Sequence, residues 1–158
     1  MATSCETRAL AGHIFWDPQA SHPCLRAHPW LRRHAWTYHT GELDAQGRGR
    51  IIECTPLMID GVLYVTTARR QVVALDAASG KKRWSFDPGK WQHEAASGGV
   101  NRGLAYWSDG KSARVLHGSS DGRLFSLDAQ TGLPDPAFGR KGMKDLREDL
   151  DPYMHPLT

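Results

Sequence analysis

An internal repeat constrains this chain more than any other feature of its sequence. "ALDAASGKKRW" (Ala74–Trp84) and "SLDAQTGLPDP" (Ser126–Pro136) share Leu-Asp-Ala-x-[Ser/Thr]-Gly, and Asp76 and Asp128 stand 52 residues apart. A second echo runs upstream. "AWTYHTG" (Ala35–Gly41) matches "RWSFDPG" (Arg83–Gly89), with Trp36 and Trp84 48 residues apart. Similarity at a fixed period of this size means like units that bury their apolar faces against one another. The third copy lacks the tryptophan: in simple register Pro136 takes its place, and Phe138 takes the place of Phe86.

The units read as β-structure. "VLYVTT" (62–67) and "RLFSLD" (123–128) alternate apolar and polar residues, the period of half-buried strands, and "QVVALD" (71–76) and "ARVLHG" (113–118) do so less cleanly. Asp60-Gly61, between "PLMI" and "VLYV", is a two-residue hairpin signal, and Asp109-Gly110 and Asp121-Gly122 are similar punctuation. The Asp-Ala-x-[Ser/Thr]-Gly segment turns easily, because Asp bonds its own backbone and Gly accepts positive φ. Short antiparallel strands recurring with tight turns predict an all-β fold of four-stranded propeller blades. Trp36 and Trp84 then close their strands and pack between neighbouring blades. About two blades, a half-blade and a loose leader fit in this length, so the chain reads as the front piece of a larger propeller, prone alone to associate through open strand edges. The tail from Lys141 reads as a surface loop with room for one helical turn over 144–150. Its acidic cluster, Asp145 to Asp151, lacks the central glycine of a calcium loop.

Composition excludes several classes of function. The 158 residues carry a net charge of only +3. The basic runs at 32–34 and 47–50 are short and lack interleaved aromatics, so nucleic acid is not an expected partner. No stretch approaches the ~20 apolar residues that cross a bilayer, and charges interrupt the first 30 residues where a signal peptide needs an apolar core. Three cysteines (Cys5, Cys24, Cys54) form no C-x-x-C pair. Cys5, Cys24 and the nearby His13, His22, His28 and His34 fit no zinc frame, so residues 1–33 are expected to be an irregular leader. "GGVNRG" lacks the Lys-Ser/Thr of a phosphate loop, and no nucleophile elbow or H-E-x-x-H occurs. His117, alone in a strand, reads as packed or solvated.

Two candidates remain. Glu53 is a charged residue inside the apolar stretch "IIECTPLM", costly unless paired or facing a site. Arg102, in "GGVNRGLAYW", offers a planar fork suited to carboxylates and phosphates. Each precedes a strand that opens a repeat. In a propeller such loops gather at one face near the axis, where the two residues would flank one ligand; the alternative is a surface salt bridge.

From "WTYHTGELDAQGRGRIIECTPLMIDGVLYVTTARRQVVALDAASGKKRWSFDP" through "GGVNRGLAYW", "GRLFSLDAQTG" and "FGRKGMKDLRED", residues 34–158 resemble the quinoprotein dehydrogenases that use pyrroloquinoline quinone (PQQ), with the nearest look to the glucose-dehydrogenase-like branch. The resemblance implies an eight-bladed propeller with PQQ near its axis. It implies that Glu53 contacts the polar edge of PQQ, that Arg102 holds a cofactor carboxylate or ring oxygen, and that Thr158 contributes a hydroxyl. Ala96-Ser97 stand where some relatives carry a vicinal disulfide. The implied reaction is oxidation of a sugar or alcohol, with electrons passed to a quinone or cytochrome in the periplasm or at a membrane. The family's calcium ligands and catalytic carboxylate belong to later blades, so no residue here is expected to be catalytic or metal-binding, and the chain alone is expected to be inactive. Residues 1–33 do not look like the family's usual start. The competing expectation is a non-enzymatic propeller of the same repeat class, used as a protein-interaction scaffold with no need of Glu53 and Arg102 as a pair.

Overall fold

The computed structural model describes residues 9–10, 13–15, 35–43, 45–46, 52–91 and 103–148. Its strands are β1 (Ala9–Leu10), β2 (His13–Phe15), β3 (Thr37–His39), β4 (Leu57–Ile59), β5 (Val62–Thr66), β6 (Val72–Asp76), β7 (Lys82–Phe86), β8 (Ala105–Ser108), β9 (Ala113–Gly118), β10 (Arg123–Asp128) and β11 (Met143–Asp145). They form two four-stranded meanders, β4-β5-β6-β7 and β8-β9-β10-β11, and a three-stranded sheet β1-β2-β3. Every strand pairing is antiparallel. The only helical element among the described residues is a 3₁₀ turn over Pro88–Trp91. This is the expected all-β, four-stranded unit, present twice.

The turn chemistry follows the sequence at Asp60-Gly61, where φ values of 48° and 74° give the doubly left-handed turn of a two-residue hairpin. The other two Asp-Gly pairs close longer loops. Asp109 Oδ1 accepts the N–H groups of Lys111 and Ser112. Gly122, at φ 83°, ends a loop in which the Ser119 N–H donates to the Arg123 carbonyl. The equivalent loop of the first sheet holds Arg70 at φ 65° in the place of Gly122. Its guanidinium hydrogen-bonds the Ser120 hydroxyl of the second sheet.

The repeated Asp-Ala-x-[Ser/Thr]-Gly segment is one turn built twice. Asp76 Oδ1 accepts from the Ser79 N–H at 3.0 Å and its hydroxyl at 2.8 Å. Asp128 Oδ1 does the same with Thr131, at 2.8 and 2.9 Å. The carbonyl of each Asp accepts the N–H of the glycine four residues on, Gly80 and Gly132. Each turn presents that glycine and the carbonyl of Ala77 or Ala129 to a tryptophan of the preceding unit. Trp36 Nε1–H donates to the Ala77 carbonyl at 2.9 Å, and Trp84 Nε1–H to the Ala129 carbonyl at 3.0 Å. A Cβ on Gly80 would lie 2.5 Å from the Trp36 ring, and one on Gly132 would lie 2.4 Å from the Trp84 ring. Both tryptophans are buried, so the expected packing role is observed.

Two apolar layers result. Leu63, Val65, Val73, Leu75 and Ala77 cover Trp36 on one face of the first sheet. On its other face, Val62, Tyr64, Val72, Ala74, Trp84 and Phe86 meet Val115, Phe125, Leu127 and Ala129 of the second sheet. Phe86 and Phe125 are 5.3 Å apart between ring centroids, and Tyr64 lies 5.8 Å from Trp84. The Tyr64 hydroxyl gives the Ala129 carbonyl its second hydrogen bond, at 3.1 Å, and burial pushes its pKa up to about 12.

Within residues 1–33, expected to be an irregular leader, the described residues are β1 and β2, and β2 pairs with β3, satisfying backbone groups that an open edge would leave bare; the rest of that segment lies outside the described residues. Two readings need correction. The tail is neither loop nor helical turn at 143–145, because β11 pairs there with β10 through Phe125↔Met143, Leu124↔Lys144 and Arg123↔Asp145. Finally, Pro136 and Phe138 do not stand where Trp84 and Phe86 stand. Pro134 bridges Leu127 at a position that needs no N–H, and the Asp135 N–H still bonds the Ser126 carbonyl; residues 136–141 then loop out, and the ladder resumes where the Gly142 carbonyl accepts the Ser126 N–H and Met143 pairs with Phe125. Pro136 has no N–H with which to continue the ladder where the outer strand breaks. Phe86 pairs with Val72, while Leu124, 52 residues after Val72, pairs with Lys144.

His117 occupies in the second sheet the place of Val65 in the first: Val65 pairs with Val73, and His117 with Phe125. It is fully buried, with its ring 6.2 Å from that of Phe125. Burial, and then the positive charge of Arg70, push its pKa down to about 4 against the opposing effect of Asp121.

Two predictions follow from this packing. Gly132→Ala adds a clash with Trp84 to the cost of positive φ and is expected to destabilise by about 3 kcal/mol. Gly110→Ala, at φ 84° with nothing within 4 Å, is expected to cost about 1 kcal/mol; urea unfolding of both variants measures the difference. For His117, the unfolded chain takes up the proton near pH 6.5 and the folded chain only near 4. Its contribution is therefore intact above pH 6.5 and lost as pH falls through that window, by about 3 kcal/mol in full. His117→Val, which copies Val65, should abolish that part of the pH dependence of unfolding.

Candidate cofactor-binding site

The first strand of each four-stranded sheet, β4 and β8, sits at the edge opposite β7 and β11. Just before these strands begin, the two sheets are stitched together: Thr55 and Gly103 form a parallel bridge. A parallel contact joins segments running in the same direction, so it brings together the residues that precede each strand. Those are the segments that carry Glu53 and Arg102 in the sequence.

Glu53 is exposed. Two residues of chain reach at most about 7 Å, which keeps its backbone close to the bridge. Arg102 is the residue before Gly103 in the sequence; it lies outside the described residues, as do Ala96, Ser97 and Thr158. A cavity of about 460 Å³ opens at the bridge, lined by Thr55, Pro56 and Leu57 from the first sheet and Gly103, Leu104, Ala105, Leu116, Gly118 and Leu124 from the second. The lining is almost wholly apolar side chain and backbone, suited to the faces of a flat ring system.

The sequence reading missed Cys54. Its sulfur accepts the Thr66 N–H at 3.1 Å, and burial pushes its thiol pKa up. Its signal in the sequence was only its place between Glu53 and Thr55. A second cavity, of about 330 Å³, lies by Trp107, Arg114, Asp135 and Phe138. There Arg114 is committed internally, to Asp135 at 2.8 Å and Asp128 at 3.6 Å, which leaves a poor anion receptor. Among the described residues no group of three or more His, Cys, Asp or Glu side chains is placed to hold a metal ion, and no helix is long and apolar enough to cross a membrane.

Comparison with known proteins gives this geometry its context. A quinone-dependent alcohol dehydrogenase, dehydrogenase subunit, from Gluconacetobacter polyoxogenes is 48% identical over 83 residues, covering 51% of this chain and 11% of that protein. A 1-butanol dehydrogenase (cytochrome c) from Thauera butanivorans is 45% identical over 86 residues, covering 52% of this chain and 12% of the relative. The chain thus spans about a tenth of the length of these relatives. Among solved structures, a europium-containing methanol dehydrogenase superposes with a TM-score of 0.51 at 20% identity, over 84% of this chain and 22% of the other, a likeness of fold. Residues 32–157 match the family described as "PQQ: Glucose/ethanol/alcohol dehydrogenase, beta-propeller domain". Two tryptophan-locked sheets, stitched at their inner strands beside an apolar cavity, are therefore part of such a propeller, and the chain belongs to the PQQ-dependent dehydrogenase β-propeller family.

Proposed function

We propose that this chain supplies one wall of the PQQ site of a quinoprotein alcohol dehydrogenase. The observation that carries the reading is the Thr55–Gly103 bridge, which links the segments bearing the two charged candidates beside an apolar cavity. PQQ is planar and tricyclic and bears three carboxylates. The cavity fits its faces, Arg102 is the partner for a carboxylate through a charge-assisted, bidentate contact, and Glu53 addresses the polar edge. Thr158 is a further hydroxyl for the same ligand.

When bound, PQQ accepts the two electrons removed from the substrate. The residues of this chain bind and orient it; proton abstraction and calcium coordination belong to other blades of the propeller. The substrate is an alcohol rather than a sugar, on the strength of the relatives' names, and the electrons pass to a quinone or a cytochrome. The family resemblance supports a location in the periplasm or at a membrane surface. The scaffold alternative predicts no dependence on the charged pair.

Titration of the chain with PQQ, followed by quenching of tryptophan fluorescence, tests this reading. Binding is expected, and Arg102→Ala should weaken it about thirtyfold, the loss of a hydrogen-bonded charge pair. Glu53→Gln should weaken it less, because the amide keeps one acceptor oxygen. No binding by the unaltered chain, or equal binding by Arg102→Ala, would favour the scaffold.

A further inference from the structure

The path of the chain between Glu53 and Leu57 raises an accounting question. The two-residue turn at Asp60-Gly61 makes Ile59 and Val62 a hydrogen-bonded pair, and pairs in an antiparallel ladder alternate. Leu57 and Tyr64 are therefore the next hydrogen-bonded pair. Pro56, without an N–H, falls at a position where the ladder needs none. Thr55 would pair next, with Thr66. It does not: Thr55 leaves its own sheet and bridges Gly103 of the other.

That departure removes an acceptor from the Thr66 N–H, which lies in a buried strand. A buried donor without a partner is costly. The acceptor is restored by the side chain of the preceding residue, as Cys54 Sγ lies 3.1 Å from the Thr66 nitrogen. The thiol is suited to this place. It is compact, tolerates apolar surroundings and accepts a hydrogen bond weakly, and its raised pKa keeps it protonated and uncharged.

We propose that Cys54 is a positioning residue for the cofactor site: its thiol replaces the missing ladder bond to Thr66, which lets the inner strand cross to Gly103 and holds Glu53 at the cavity. The role rests on the PQQ reading above. Glu53 is one residue from the thiol anchor and two from the bridge, so its backbone is constrained by both. Without the thiol, Thr55 is drawn back toward Thr66, the bridge to Gly103 weakens, and Glu53 moves with it.

The test compares the unaltered chain with Cys54→Ala and Cys54→Ser in two measurements. The first is amide hydrogen exchange without PQQ at Thr66 and at Leu104, the donor that the parallel bridge aligns with the Thr55 carbonyl, since Pro56 has no N–H. The second is PQQ affinity, with urea unfolding as the control for folding. Cys54→Ala is expected to speed exchange at both amides and to weaken PQQ binding about tenfold, the scale of one lost buried hydrogen bond. Cys54→Ser, which keeps an acceptor, should restore both. Unchanged exchange at Thr66 in Cys54→Ala overturns the inference even if PQQ does not bind. Faster exchange with unchanged PQQ affinity also overturns it, leaving Cys54 a structural residue only. Failure of the unaltered chain to bind PQQ removes the functional reading, and the positioning role with it.

Discussion

Everything in this structure depends on an indole ring lying flat on a glycine. Trp84 comes from the outer strand of one sheet, yet its nitrogen bonds the Ala129 carbonyl of the next, and its ring covers Gly132 closely enough to exclude a Cβ. Trp36 does the same to Ala77 and Gly80 one unit earlier. The contact satisfies the one polar atom of a large apolar side chain while burying the rest. It also sets the spacing between sheets, because no residue but glycine lets the ring approach so near. The Asp-Ala-x-[Ser/Thr]-Gly turn exists to present that glycine, and its aspartate, serine or threonine hold the turn open for the ring.

From this lock follows the register of the inner strands. With the outer strands fixed, the sheets face each other through Phe86, Phe125 and their neighbours, and β4 and β8 begin side by side. The bridge between Thr55 and Gly103 is the last consequence of a chain of contacts that starts at the rim. The cavity beside that bridge is built from backbone and chain entry points, with few polar side chains lining it.

Much of the fold was legible, and the exceptions have physical causes. Asp60-Gly61 was readable because two consecutive left-handed residues admit few alternatives. Asp121-Gly122 misled in detail, since only the glycine is left-handed there, and a longer loop closes around it. The tryptophans were readable as packing residues because they recur, whereas their acceptors are main-chain carbonyls that leave no mark in the sequence. The break after Asp135 was hidden because a fixed offset of 52 assumes an unbroken outer strand, and an extruded loop keeps neither spacing nor pattern. Glu53 stood out as a charge among apolar residues. Its neighbour Cys54 did not, because a cysteine beside an apolar run looks like ordinary core until the missing ladder bond at Thr66 is seen. The tie between the Glu53 and Arg102 segments was legible only through the placement of repeats. A parallel bridge between sheets has no sequence signature of its own.

The extruded segment 136–141 shows where this architecture is permissive. It leaves the outer strand after Asp135 and returns at Gly142 without disturbing the pairing of β8, β9 and β10. Tolerance of insertion is therefore greater at the outer strand than at the inner one: the perimeter can lengthen and recruit new surface, while the entry points of β4 and β8 are tied to each other by the Thr55–Gly103 bridge. A propeller built on such a plan can change its outer surface around the circumference and keep the entry points of its inner strands fixed.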